Sequence, residues 1–149
     1  MLKDKMGHDK FLSTFVHNVF IVWKPEYNLG IPIIDEHHRG IVTIINSLHY
    51  GINHHSEKIE LAAVIDIVYD YTRIHFRAEE GFFNIIDYPH AGEHHELHME
   101  LSLKLSSIGR QSLLEREPLK LMDFLKEWWI NHICHEDLVW KNFLLNTNT

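Results

Sequence analysis

One cysteine, four prolines and seven glycines in 149 residues rule out a disulfide scaffold, a collagen-like repeat and a proline-rich linker. The single thiol, Cys134, has no internal partner. Nothing therefore calls for an oxidising compartment, and the cytoplasm is the expected location. No stretch approaches the roughly 20 unbroken apolar residues that a membrane-spanning helix needs. Positive charge is scarce as well. Fourteen Lys and Arg stand against 21 Asp and Glu, a formal net charge of -7, which is the wrong sign for following a phosphate backbone or an anionic bilayer. Neither nucleic acid nor a membrane is an expected partner. Any alternating strand pattern and any internal repeat are also missing.

What is plentiful is histidine, at 14 of 149, scattered from His8 to His135 rather than gathered in a tag. Histidine is the commonest metal ligand and titrates near neutral pH, so metal binding and pH sensing are the two physical readings of the excess. Apolar residues make up 45% and charged residues 23%, a composition that folds, and the length suits one domain.

Residues 1–22 carry Lys3, Lys5 and Lys10 ahead of an apolar stretch interrupted by His17 and Asn18. They read as an N-terminal arm rather than a signal peptide, because no small-residue cleavage site follows. Residues 23–149 then form one domain. After a turn-rich stretch with Pro25, Asn28, Gly30 and Pro32, four helices are predicted over 33–52, 57–86, 90–113 and 118–145. Breaks fall at Gly51–Ser56, Asp87–Pro89 and Glu115–Pro118, and Pro118 suits a first helical turn. Short connections between long helices make antiparallel neighbours, so the expected fold is all-α, an up-down-up-down four-helix bundle. Helices of about 22 residues would be about 33 Å long, enough to enclose a site.

The histidines fall on faces that must be buried. Steps of three and four give Ile34, His38, Ile41, Ile45, Leu48 on the first helix and Ile65, Val68, Thr72, His75, Glu79, Phe82 on the second. The third reads Ala91, His94, His98, Leu101, Leu105. The fourth has two apolar rows, one through Trp128 and His132 and the other through Trp129, Ile133, Asp137 and Trp140. Spacing alone is weak, since about one His pair at i, i+4 is expected by chance, and a hydrogen-bonded core residue is the ordinary explanation for any single inward histidine. Convergence is the stronger argument. Five histidines and a glutamate on the core stripes of four helices are costly to bury separately, and a metal site gives all of them partners at once.

The donor set narrows the metal chemistry. One cysteine removes thiolate zinc sites, His-Glu-x-x-His does not occur, and no Glu is followed by His three residues later, which argues against ferritin-like di-iron bundles. A histidine-rich, carboxylate-poor, multi-metal cluster remains, and imidazole suits iron, copper and zinc alike.

At these residues the sequence resembles the hemerythrin family, specifically the bacterial hemerythrins. The matching pattern runs through Trp23, Tyr27, Gly30, Ile33, Asp35 and His38, then His75, Phe76, Glu79 and Glu80. It continues through Tyr88, Pro89, His94 and His98, and ends with Trp128, His132, Ile133 and Asp137. The resemblance implies two iron ions per chain in a non-haem, oxo- or hydroxo-bridged di-iron centre that binds dioxygen. By that resemblance His94, His98 and His132 hold one iron, His38 and His75 the other, and Glu79 and Asp137 bridge both. The second iron is then one ligand short, and its open position receives dioxygen. One assignment sets spacing against resemblance. On a straight α-helix Glu136 lies about 40° from His132 and Asp137 about 140°, so spacing prefers Glu136 where the family pattern selects Asp137. Two positions depart from the pattern. His37 stands where the family often has glutamine and is expected to face outward, and Trp129 stands where leucine usually borders the dioxygen pocket, as a bulkier pocket wall. The remaining histidines are expected to be solvated or capping.

The resemblance thus implies a dioxygen carrier, store or delivery protein rather than an enzyme. The alternatives are an oxygen or redox sensor meeting a protein partner through residues 1–22, and a di-iron enzyme acting on peroxide or nitric oxide. Oligomeric state is not legible.

Overall fold

The structure is a computed structural model that describes residues 19–54 and 60–147. A short 3-10 turn at Pro25–Tyr27 leads into α1 (Pro32–Asn53), followed by α2 (Leu61–Ile85) and α3 (Ala91–Glu115). The fourth rod is composite: α4 (Leu119–Trp128), a π-helical segment (Trp129–Glu136) and α5 (Asp137–Thr147). No strand occurs among the described residues. α1 packs on α2, α2 on α3, α3 on α4 and α4 back on α1, which closes the ring of a four-helix bundle.

The rod ends follow local chemistry. Pro32 opens α1 after an extended Ile31, where a missing N–H costs nothing. Asp87 and Arg116 adopt left-handed conformations, with φ of 51° and 53°, just beyond α2 and α3. There the N–H of Tyr88 reaches Phe83 O at 3.0 Å and that of Glu117 reaches Ser112 O at 3.0 Å, the six-residue closure that stops a helix. Three expected boundaries move. Gly51 lies inside α1 and is buried, because a lone glycine weakens a helix without ending it. The described part of α2 begins at Leu61, and the residues expected to start it, 57–59, lie outside the described ones. Pro118 sits just before α4, its carbonyl accepting the first helical bond from Met122 N at 2.9 Å.

The core is built in layers along the bundle. One apolar cluster joins Ile41, Ile45 and Leu48 of α1 to Ile65 and Val68 of α2, Leu105 of α3, and Leu121, Leu125 and Trp128 of α4. A second joins Leu29, Ile34, Phe83, Tyr88 and Trp140 toward the other end. Between them every rod carries a polar interruption: His38 on α1; Thr72, His75 and Glu79 on α2; His94 and His98 on α3; His132 and Asp137 on the fourth rod. The site therefore lies between two hydrophobic plugs.

The lead-in is fastened by one carboxylate. Asp35, in the first turn of α1, accepts N–H bonds from Leu29 at 2.6 Å and Gly30 at 3.1 Å, and Gly30 sits at φ 88°, open to glycine. Of the expected arm, residues 1–18 lie outside the described residues. Ile21 is buried and exchanges two hydrogen bonds with Asn46, at 2.9 and 2.8 Å, which ties the end of that segment to α1. Among the described residues no helix is long and apolar enough to cross a membrane.

Candidate metal centre

The seven side chains named from sequence come together in the middle layer, each 0–5% exposed. Donor atoms of Glu79, His94, His98 and His132 lie within 4.8 Å of one another, and those of His38, His75 and Asp137 form a second such group. Every histidine turns Nε2 inward. His98 Nε2 is 3.0 Å from Glu79 Oε2, and His94 Nε2 is 3.4 Å from the same oxygen. Asp137 reaches both groups: Oδ1 is 3.3 Å from His94 and 3.3 Å from His132, whereas Oδ2 is 3.3 Å from His38 and 4.0 Å from His75. Two donors at right angles about 2.1 Å from one ion stand about 3.0 Å apart, so these separations match edges of a metal coordination shell.

The fit to a metal is tested by what is left unsatisfied. Both ring nitrogens of His38 and His75, Nε2 of His94, His98 and His132, Glu79 Oε2 and both Asp137 oxygens are buried without a hydrogen-bond partner. Buried polar atoms are normally paired, and a concentration like this in one layer is costly unless a cation meets it. Charge states agree. Burial works against ionised Glu79, but the imidazoles of His94 and His98 close beside it outweigh that and hold the carboxyl below its ordinary range. Asp137 is likewise held low, burial and Glu79 being overcome by His132, His38 and His94. Burial pushes His75 down to about 3 and lowers His132, leaving both as neutral donors. His94 is the exception: burial is overcome by the carboxylates of Asp137 and Glu79 close to its Nε2, which raise it to about 9.

The π-helical segment settles how two consecutive carboxylates divide. Asp137 N–H bonds to His132 O, five residues back. A π turn is wider than an α turn, so residues five apart come round toward one face, and the 140° offset expected on a straight helix narrows. Asp137 joins His132 in the centre, and Glu136 is carried round to a half-buried place outside it. The straight helix expected over 118–145 is corrected to this broken rod, which extends to Thr147.

Outer partners orient the donors. Glu80 Oε1 is 2.7 Å from His98 Nδ1 and 3.0 Å from His95 Nδ1, and Trp140 Nε1 donates to Glu79 Oε1 at 2.8 Å. Sequence reasoning noted both residues and gave neither this role, because contacts across helices leave no trace in the spacing of one helix. Phe76 stacks on His98 at 3.7 Å and meets His75 and His132, covering the layer from one side. His37 does not stand clear of the centre. It is half-buried, with its ring 6.0 Å from that of His75. Trp129 is buried in the larger apolar cluster with Phe76 and Ile133, and its ring contacts run to Trp23 at 6.0 Å and Tyr27 at 5.3 Å.

Comparison with known proteins agrees with this geometry. Residues 29–144 match the family model described as the hemerythrin HHE cation binding domain. Bacteriohemerythrin from Stenotrophomonas maltophilia (strain R551-3) is 33% identical over 119 residues, covering 78% of this chain and 76% of that protein. Bacteriohemerythrin from Pseudomonas aeruginosa (strain LESB58) is 34% identical over the same length and shares. A hemerythrin subunit from Sipunculus nudus is 30% identical over 123 residues, covering 83% of this chain and 92% of that protein. With four rods, a buried histidine-carboxylate layer and these relatives in agreement, the chain belongs to the hemerythrin HHE cation-binding family.

Proposed function

We propose that the protein binds dioxygen reversibly at a non-haem di-iron centre, as a carrier, store or delivery protein and not as an enzyme. The observation that carries the reading is the convergence of five inward Nε2 atoms and two carboxylates in one buried layer, with most of those donors lacking any hydrogen-bond partner. In this reading His94, His98 and His132 would hold one iron and His38 and His75 the other. Asp137, with one oxygen toward each group, and Glu79 would be the carboxylates shared between the two ions. When bound there, a pair of ferrous ions would supply the electrons that dioxygen takes up and returns.

The protein's own part is to hold, neutralise and keep dry. Two carboxylates would offset the cationic charge, and the apolar layers keep bulk water away from the donors. Trp129 is assigned as a wall of the dioxygen pocket. Side chains only 0–5% exposed suit a diatomic ligand better than an organic substrate. The Cys134 thiol, pushed up to about 11 by burial and by Asp137, is chemically quiet, in keeping with a cytoplasmic protein.

Anaerobic iron reconstitution with metal counting, and optical spectra before and after air, tests the proposal. Two irons per chain and an oxygen-dependent charge-transfer band that reverses on deoxygenation are expected. A single ion, none, or a band that never reverses overturns it. Steady consumption of peroxide or nitric oxide with a reductant would move the protein to the enzymatic class.

A further inference from the structure

Among the described residues, two surface cavities that reach the ligand layer lie one on each side of α3, and their walls differ in charge. The first, about 340 Å³ between α2 and α3, touches His98 and has an apolar floor of Phe76, Met99 and Leu105. Its acidic groups Asp70 and Glu80 face Arg73, Arg77 and His95, so carboxylate is balanced by base. The second, about 280 Å³, lies between α3 and the fourth rod and touches His94. Its charged walls are Glu93 and Glu136, joined by His90, whose Nδ1 is 2.8 Å from Glu93 Oε2. Among the described residues no Lys or Arg lines it.

Three observations mark this second cavity as more than an acidic patch. Its inner wall is His94, 5% exposed and the most accessible of the five ligand histidines, with an Nε2 that has no hydrogen-bond partner. The half-buried Glu136 carboxylate has no ion-pair or hydrogen-bond partner among the described residues. It is the π-helical segment that aims this carboxylate here, one residue before Asp137 turns into the centre. The local field is negative: Tyr88, on the same wall, has its hydroxyl raised by burial and then by Glu93, Glu136 and Glu79.

We propose that this cavity is the port through which divalent cations load the centre. Glu93 and Glu136 draw the ion in, with His90 beside Glu93 at the mouth, and His94 receives it inside. The balanced, arginine-bearing cavity on the other side of α3 offers a cation no such attraction. The proposal rests on the metal-centre reading above and extends it to the loading route.

The test is the rate at which metal-free protein takes up Co²⁺, followed by stopped-flow absorbance, with metal counted at the end point. At low ionic strength a Glu93→Gln/Glu136→Gln variant is expected to load roughly three- to tenfold more slowly than wild type, the scale of electrostatic steering. Both proteins are expected to reach the same final count and spectrum. Added salt should slow wild type toward the variant's rate, because it screens the two carboxylates. Equal rates at low salt would overturn the port, as would an Arg77→Gln variant that changed the rate when the double variant did not. Wild-type protein that bound no Co²⁺ would instead sink the centre itself, and the end point separates that failure from a misplaced port.

Discussion

Trp140 donates its indole N–H to Glu79 Oε1 at 2.8 Å, and both side chains are fully buried. The bond leaves Glu79 Oε2 as the oxygen turned toward His94 and His98, whereas Asp137 turns one oxygen to each half of the layer. Trp140→Phe keeps most of the ring and removes the donor. Hydrogen bonds to charged groups contribute about 1.5–3 kcal/mol, so the metal-free variant should be less stable by about 2 kcal/mol in urea titration. An unchanged midpoint would show that the indole only fills space.

Asp137 and Glu136 should separate cleanly by metal count. Asp137→Ala is expected to lose at least one of two bound ions, since among the described residues it removes the only carboxylate with an oxygen near His38. Glu136→Ala is expected to keep both. Elemental analysis after reconstitution decides, and an Asp137→Ala protein that held two ions would reverse the assignment.

Loading should release a proton from His94. In the metal-free protein Asp137 and Glu79 hold this ring protonated up to about 9, yet a metal needs it neutral. Apparent affinity should therefore rise with pH and level off above about 9. His75, lowered to about 3 by burial, is already neutral near pH 7 and releases nothing. Calorimetry in buffers of different ionisation enthalpy measures the proton count, and a count of zero at neutral pH contradicts the expectation. The same shifts fix the metal-free fold's own pH dependence. His94 adds stability fully present below its unfolded value of 6.5 and lost as pH rises through about 9. His75 adds stability present above 6.5 and lost as pH falls toward 3.

Trp129→Leu should change the rate of autoxidation or of anion binding in the iron-loaded protein. The indole packs against Trp23 and Tyr27, and a smaller side chain would loosen that wall. Stopped-flow absorbance with azide measures it. Rates equal to wild type would remove Trp129 from the pocket.

The bundle was legible because its helices repeat apolar residues every three to four positions, and His38, His75, His94 and His98 stood out as polar residues on those stripes. Asp137 shared an apolar row with Ile133 and Trp140, but its angle to His132 was not legible by periodicity. Its place depends on a local change of helical pitch, and a straight-helix rule chose Glu136. Glu80 and Trp140 share the same difficulty in another form. Their partners lie 18 and 61 residues away, on other rods, and only packing brings them together. His37 was expected to be outward because it is one step from His38, but its ring lies against His75 on the next rod.

The two hydrophobic plugs have a consequence for assembly. Ile45, Leu48 and Leu125 pack the rods together at one end and Ile34, Phe83 and Trp140 at the other, so the backbones that carry the donors are held from both sides by apolar contacts that owe nothing to an ion. Much of the entropy of ordering those rods is therefore met by hydrophobic burial, which leaves less for the ions themselves to organise.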